Sequence, residues 1–310
     1  MSKSTLHDEY VAVRPTHIPY YQQTPLYYQA DDGTWELYKD KDEQLGAERM
    51  EQERHPQLFI RVADREAASV EAQRAFNRVL EKSLESNDMH QVQASLTGIA
   101  QETLDEPRSG TLRQASRSVA LLARASLRDP AILHQLLALS TFDYGTALHS
   151  VNVMALTLGF AHKVGFGWQR TLSFGVAALL HDIGKVAIPE RILKSPNRLT
   201  DEEFRLVRQH PMMAVSILDR AGVGMPKVRE AATEHHEKID GSGYPRGIKD
   251  ISLVGQVVGI IDAYEALTNE DRPYRRALPP ALALKVLREE ADRGRYMCPL
   301  YNRFVLSLTT

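Results

Sequence analysis

The chain has 310 residues, 43% hydrophobic and 25% charged, the make-up of a soluble globular protein long enough for about two domains. Lysine plus arginine number 38 against 40 for aspartate plus glutamate, leaving a formal charge of -2 and excluding a broadly basic surface that coats nucleic acid. No apolar run approaches the ~18 residues of a membrane span. Cys298 is the only cysteine, so no intramolecular disulfide can form, and the polar, charged start reads as neither leader nor anchor. A cytoplasmic location is expected.

In chain order, residues 1–63 read as a small β-rich unit. Tyr10–Val13, Pro25–Gln29, Trp35–Tyr38 and Leu58–Val62 are β-branched or aromatic runs bounded by Pro, Gly and Asp. Asp32-Gly33 is a hairpin signal between the second and third runs, and the charged stretch Glu43 to Glu53 predicts one helix. From Asp64 the spacing turns helical: Val70, Phe76, Val79, Leu80 and Leu84, then Leu112, Val119, Leu122 and Leu133. Gly110 is read as a break, and Asp129 as a cap before Pro130. Residues 64–127 form a helical connector and 128–310 a second, helical domain. Arg113, Arg117, Arg124 and Arg128 share a helical stripe, read as a solvated face.

Histidine carries the chemistry. Of eleven, His7, His17, His55, His90, His134 and His162 stand alone and are read as structural or surface residues. The others sit in or at the ends of apolar helical stretches: His149, the pair His181-Asp182, His210, the pair His235-His236, with Asp262 following. Gly184 is read as the stop of the helix carrying His181, and Pro211 as the start of a helix with His210 at its mouth. Burying so many titratable groups without partners costs several kcal/mol apiece, by rough reckoning, and a metal supplies the partner. Imidazole and carboxylate without thiolate suit iron, manganese, zinc, cobalt or nickel. Seven ligands exceed one tetrahedral ion and predict two ions sharing a carboxylate. Two ions about 3.5–4 Å apart suit in-line displacement at phosphorus by a water they activate. No Gly-rich phosphate loop, Gly-x-Ser-x-Gly elbow or nucleophilic cysteine competes.

Leu180-His181-Asp182-Ile183-Gly184-Lys185 with Ile188-Pro189 resembles the His-Asp motif of the HD phosphohydrolases. His235-His236-Glu237-Lys238-Ile239-Asp240-Gly241-Ser242-Gly243-Tyr244-Pro245 resembles the signature of the HD-GYP subfamily, and Arg272-Pro273-Tyr274-Arg275 its downstream element. The resemblance covers the chain from about residue 125 onward. It implies a mainly α, helical HD-domain bundle after the β-rich unit. It also implies a metal-dependent phosphodiesterase that hydrolyses cyclic di-GMP, with iron or manganese favoured.

By position, His149, His181, Asp182, His210, His235, His236 and Asp262 would ligate metal, with Asp182 bridging. Lys185 would contact the scissile phosphate or leaving group. Arg272 and Arg275 would clamp substrate phosphates, and Tyr244 would meet substrate or a partner from its loop. Gly145 stands where relatives with a third ion carry Glu, so two ions are expected. Glu265 replaces a usual Asp, the link Thr268-Asn269-Glu270-Asp271 is one residue longer than usual, and Met297-Cys298-Pro299 replaces Phe-Asp-Pro. Other readings are a low-turnover module binding cyclic di-GMP or a diguanylate cyclase (GGDEF) protein through the Tyr244 loop, and a phosphodiesterase for another cyclic dinucleotide. The N-terminal unit resembles small β domains that precede HD-GYP domains, which implies a regulatory or dimerising module and a homodimer.

Overall fold

The computed structural model describes residues 9–43, 56–139, 145–195, 197–222, 224–269 and 277–308. The first unit is a sheet of β1 (Tyr10–Ala12), β2 (Leu26–Gln29), β3 (Trp35–Lys39) and β4 (Phe59–Arg61), all antiparallel in the order β1-β4-β2-β3. Each expected strand lies within two residues of its predicted bounds. The β2–β3 hairpin turns at Asp32-Gly33, where Gly33 takes φ +85° and Asp32 Oδ1 accepts from Thr34 N at 2.9 Å. The helix expected over Glu43 to Glu53 falls almost wholly outside the described residues.

Thirteen α-helices follow among the described residues. The first three are α1 (Arg65–Ser86), α2 (Met89–Asp105) and α3 (Ser109–Arg128). On α1, Ala68, Ala72, Phe76 and Leu80 repeat every four residues and are all buried, so this stripe faces the core. Asn87 ends that helix in the left-handed region, and Asp88 caps the next by accepting from Gln91 N at 3.1 Å. Gly110 does not break a helix. It is the second residue of α3, where an added Cβ would lie 2.8 Å from Val70 Cγ2, so glycine there admits close packing of α3 on α1. Arg113, Arg117, Arg124 and Arg128 are exposed, as a solvated stripe should be.

Next come α4 (Ala131–Ala138), α5 (Thr146–Lys163), α6 (Trp168–Leu180), the single turn α7 (Glu190–Leu193), α8 (Asp201–Val207), α9 (His210–Ala221), α10 (Pro226–Glu234), α11 (Leu253–Thr268), α12 (Pro280–Asp292) and α13 (Cys298–Ser307). Asp129 Oδ1 accepts from Ala131 N across Pro130 at 3.0 Å, which starts α4. Gly145 is the N-cap of α5. Buried side chains from Val13 to Phe304 form one continuous core. A polar group of three inside that core ties the sheet unit to the helices. His17, on a 3-10 turn (Pro15–Tyr20), bonds Glu102 on α2, and the Tyr21 hydroxyl donates to the same carboxylate at 3.0 Å. Burial alone would raise the Glu102 carboxyl, but the His17 and Tyr21 contacts reverse this and hold it below the usual range. The helix α2 in turn packs on α5, so the sheet unit is one element away from the centre described next. No helix among the described residues is long and apolar enough to cross a membrane.

Candidate metal centre

Five helical segments converge. His149 lies in the first turn of α5 and Asp262 in the middle of α11. His181 caps the end of α6, with Asp182 next in line; His210 opens α9, and His235 caps α10 with His236 beyond it. All seven expected ligands come together. Their donor atoms form three overlapping groups, each with atoms within 4.8 Å of one another: His210, His235 and His236; His149, His181 and Asp182; His181, His235 and Asp262.

Two glycines permit this approach. Gly184 does not stop α6, which has already ended at Leu180. It lies in a 3-10 turn (Ile183–Ala187), where an added Cβ would stand 1.8 Å from the His210 carbonyl oxygen. An added Cβ at Gly259 would stand 2.3 Å from the His235 carbonyl oxygen. The backbones carrying Asp182 and Asp262 thereby rest directly on the backbones carrying His210 and His235.

The hydrogen bonds set which nitrogen faces inward. A carbonyl can only accept, so Nδ1–H of His181 donates to Ala178 O (2.7 Å), that of His210 to Val207 O (2.7 Å) and that of His235 to Ala231 O (2.8 Å). Nε2 of each then faces the centre. His210 Nε2 and His235 Nε2 stand 3.3 Å apart. Burial, reinforced by the neighbouring His181 and His210, pushes His235 down to about 3, so its Nε2 offers a lone pair. Two ring nitrogens this close, one of them a lone pair, suit a shared cation. His181 Nε2 is buried without a hydrogen-bond partner among the described residues, a deficit of about 1–3 kcal/mol that a metal would remove. The residues present fit a metal.

The carboxylates supply matching charge. Asp182 Oδ1 lies 3.3 Å from His210 Nε2 and 3.8 Å from His235 Nε2, while Oδ2 lies 3.5 Å from both His149 Nε2 and His181 Nε2. Asp262 Oδ1 lies 3.0 Å from His149 Nε2, and its Oδ2 lies 3.9 Å from His236 Nδ1. Burial would raise both carboxyls, but Lys185, His181 and His210 hold Asp182, and His149 and His181 hold Asp262, well below the usual range, so both are ionised. His149 is driven upward, to about 9: burial opposes protonation, and Glu265 with Asp262 overcomes it. A pocket that holds a proton this firmly favours positive charge, which a metal would bring in its place.

Several contacts were not legible beforehand. Glu265 is no simple stand-in for a shorter acid: its Oε2 accepts His149 Nδ1–H at 2.6 Å, and its Oε1 accepts from Asn152 at 3.0 Å and Asn269 at 3.1 Å. Sequence reasoning missed Asn152, although it stands three residues after His149 on the same helix face. Lys185 lies on the Asp182 carboxylate at the edge of the cluster. Buried Glu237 accepts from the backbone of Arg246 (2.8 Å) and Ile248 (3.2 Å) and so winds the following loop around itself. That loop brings Tyr244 back to stack on His236, with ring centroids 4.5 Å apart. Arg208, also missed, lies with its guanidinium 4.6 Å from the Tyr244 ring centre. Arg272 and Arg275 lie outside the described residues.

A family model described as "HD domain" matches residues 125–297, more than half of the chain and every expected ligand above. The chain belongs to the HD domain family. It is 39% identical over 193 residues to a cyclic di-GMP phosphodiesterase of Pseudomonas aeruginosa, 62% of this chain and 46% of that protein. It is 34% identical over 162 residues to the 3'3'-cGAMP-specific phosphodiesterase 1 of Vibrio cholerae, 52% of this chain and 37% of that protein. The match thus spans less than half the length of either relative. An HDG"Y"P protein from Bdellovibrio bacteriovorus shares the fold, with a TM-score of 0.66 at 19% identity, covering 97% of this chain and 100% of that one.

Proposed function

We propose that this HD domain protein is a phosphodiesterase that opens cyclic di-GMP with the help of two divalent ions, iron or manganese. The division of the Asp182 carboxylate carries the reading: one oxygen turns to His210 and His235, the other to His149 and His181. A carboxylate divided between two histidine pairs suits a bridge, with His210, His235 and His236 on one side and His149, His181 and Asp262 on the other. Bound there, two ions would supply positive charge for a phosphodiester and a water acidic enough to attack it near neutral pH. The chain's own part is orientation. The Nδ1–H bonds of His149, His181, His210 and His235 keep the ligand nitrogens inward, and the burial of the cluster limits competing water. Lys185, resting on Asp182, would meet the charge that builds on the leaving oxygen, and Arg272 and Arg275 would hold phosphate.

In the same reading, residues 128–310 are catalytic, 64–127 a connector and 1–63 a regulatory or dimerising module, and the Tyr244 loop is where a diguanylate cyclase partner would dock. The similarity to a 3'3'-cGAMP-specific enzyme favours one rival substrate, a mixed cyclic dinucleotide. The test is to load the protein anaerobically with iron or manganese, add each dinucleotide in turn and chromatograph the products. Turnover of cyclic di-GMP is expected. Preferred turnover of the mixed dinucleotide would reassign the substrate, and saturable binding without product would make the protein a binding module.

A further inference from the structure

We propose that Arg208 is a substrate-binding residue that takes the second phosphate of a cyclic dinucleotide while the first lies against the histidine–aspartate cluster, an inference that rests on the phosphodiesterase reading above. Arg208 is registered to the centre by the turn that orients a ligand. It follows Val207, whose carbonyl holds His210 Nδ1, and precedes His210 by two residues. Its guanidinium lies over the Tyr244 ring at 4.6 Å, and Tyr244 stacks at 4.5 Å on His236, a member of the cluster. Arg208 therefore lies no further from the His236 ring than these two contacts laid end to end. It is half-buried where His210, two residues on, is buried, which sets it toward the solvent side of the cluster.

Among the described cations nearby, Lys185 is paired with Asp182, Arg246 with Glu234 and Glu237, and Lys238 is turned to Tyr296. Arg208 makes no ion pair among the described residues. A half-buried guanidinium lying over an aromatic ring still has N–H groups for an incoming acceptor, and its planar fork matches two phosphate oxygens. A cyclic dinucleotide carries two phosphodiesters in one ring, so the phosphate not at the cluster brings a second negative charge to the rim. Arg208 is the cation there to receive it. Tyr244 then acts chiefly as the platform that aims Arg208.

The test compares cyclic di-GMP, which has two phosphates, with bis(4-nitrophenyl) phosphate, which has one, on wild type, R208A and R208K. For R208A the KM for cyclic di-GMP should rise about tenfold more than the KM for the small diester, the scale of one charge-assisted hydrogen bond, with metal content held. R208K, which keeps the charge and loses the planar fork, should recover part of the loss. Equal losses on both substrates, or lost metal, would make Arg208 a support for Tyr244 and His236 and overturn the proposal, as would no loss on either. Equilibrium binding of fluorescent cyclic di-GMP separates this outcome from failure of the activity itself. A wild type that binds without cleaving refutes the hydrolase reading yet upholds Arg208 if R208A binds about tenfold more weakly. A wild type that neither binds nor cleaves overturns both.

Discussion

Removing the Glu265 carboxylate should loosen the metal centre without touching any expected ligand. Glu265 is 4% exposed and holds His149 Nδ1–H at 2.6 Å, with Asn152 and Asn269 on its other oxygen. In Glu265→Ala the two asparagines are partly accessible and can turn to water, but the His149 side chain, 4% exposed, cannot. A donor left without its acceptor in such a place costs about 1–3 kcal/mol, and the imidazole is no longer held with Nδ1 on an acceptor and Nε2 toward the cluster. Loss of a group that orients a ligand typically weakens metal affinity or activity about 10–100-fold. Glu265→Gln keeps an oxygen for His149 but loses the charge, and should fall between wild type and Ala. The assay is manganese affinity of chelator-stripped protein by titration calorimetry, alongside urea denaturation in chelator to isolate the stability of the metal-free fold. If Glu265→Ala binds manganese as tightly as wild type, Glu265 does not position His149 and the ordering of this centre is misread.

Asp182→Ala should release at least one ion and abolish turnover, because its two oxygens serve both histidine pairs; elemental analysis should count two metals per wild-type chain, and three would require a ligand outside the cluster. Gly184→Ala should push α9 away from the 3-10 turn, since the new Cβ would start 1.8 Å from the His210 carbonyl oxygen; a loss of at least 1–3 kcal/mol, roughly the range for overpacking, with reduced metal content is expected, and wild-type melting with full metal would refute the close approach. The Glu102 carboxyl is held below its ordinary 4.5 in the folded state, so its contribution is full above that value and is lost as pH falls through the lower, folded one. Glu102→Gln should therefore flatten the acid side of the stability–pH curve below about 4.5, measured by denaturation at stepped pH, and an unchanged acid slope would remove Glu102 from the account.

What could be read from the sequence was local in the chain. The four strands, the Asp32-Gly33 turn, Phe76 and Leu80 of the α1 stripe, and the order of the His and Asp residues depend on neighbours within a few positions, where backbone geometry limits the choices; Val70, Val79 and Leu84 of the expected stripe are only half-buried. The identity of all seven candidate ligands followed from that order, because histidines at the ends of apolar helices leave few explanations other than metal. Gly110 and Gly184 were misjudged for the complementary reason: a glycine that ends a helix and one that admits another backbone look alike until the other backbone is known. Contacts between distant residues were decided only by folding. His17 meets Glu102 across 85 positions, and His149 meets Glu265 across 116. The inward turn of each Nε2 depends on which carbonyl its Nδ1 finds, and the division of Asp182 between two histidine pairs depends on five helical segments meeting at once. Arg208 gained its place beside Tyr244 because Glu237 winds the intervening loop back over His236. A sequence names the side chains; the distances that make them ligands, supports or a rim cation arise only when remote segments pack.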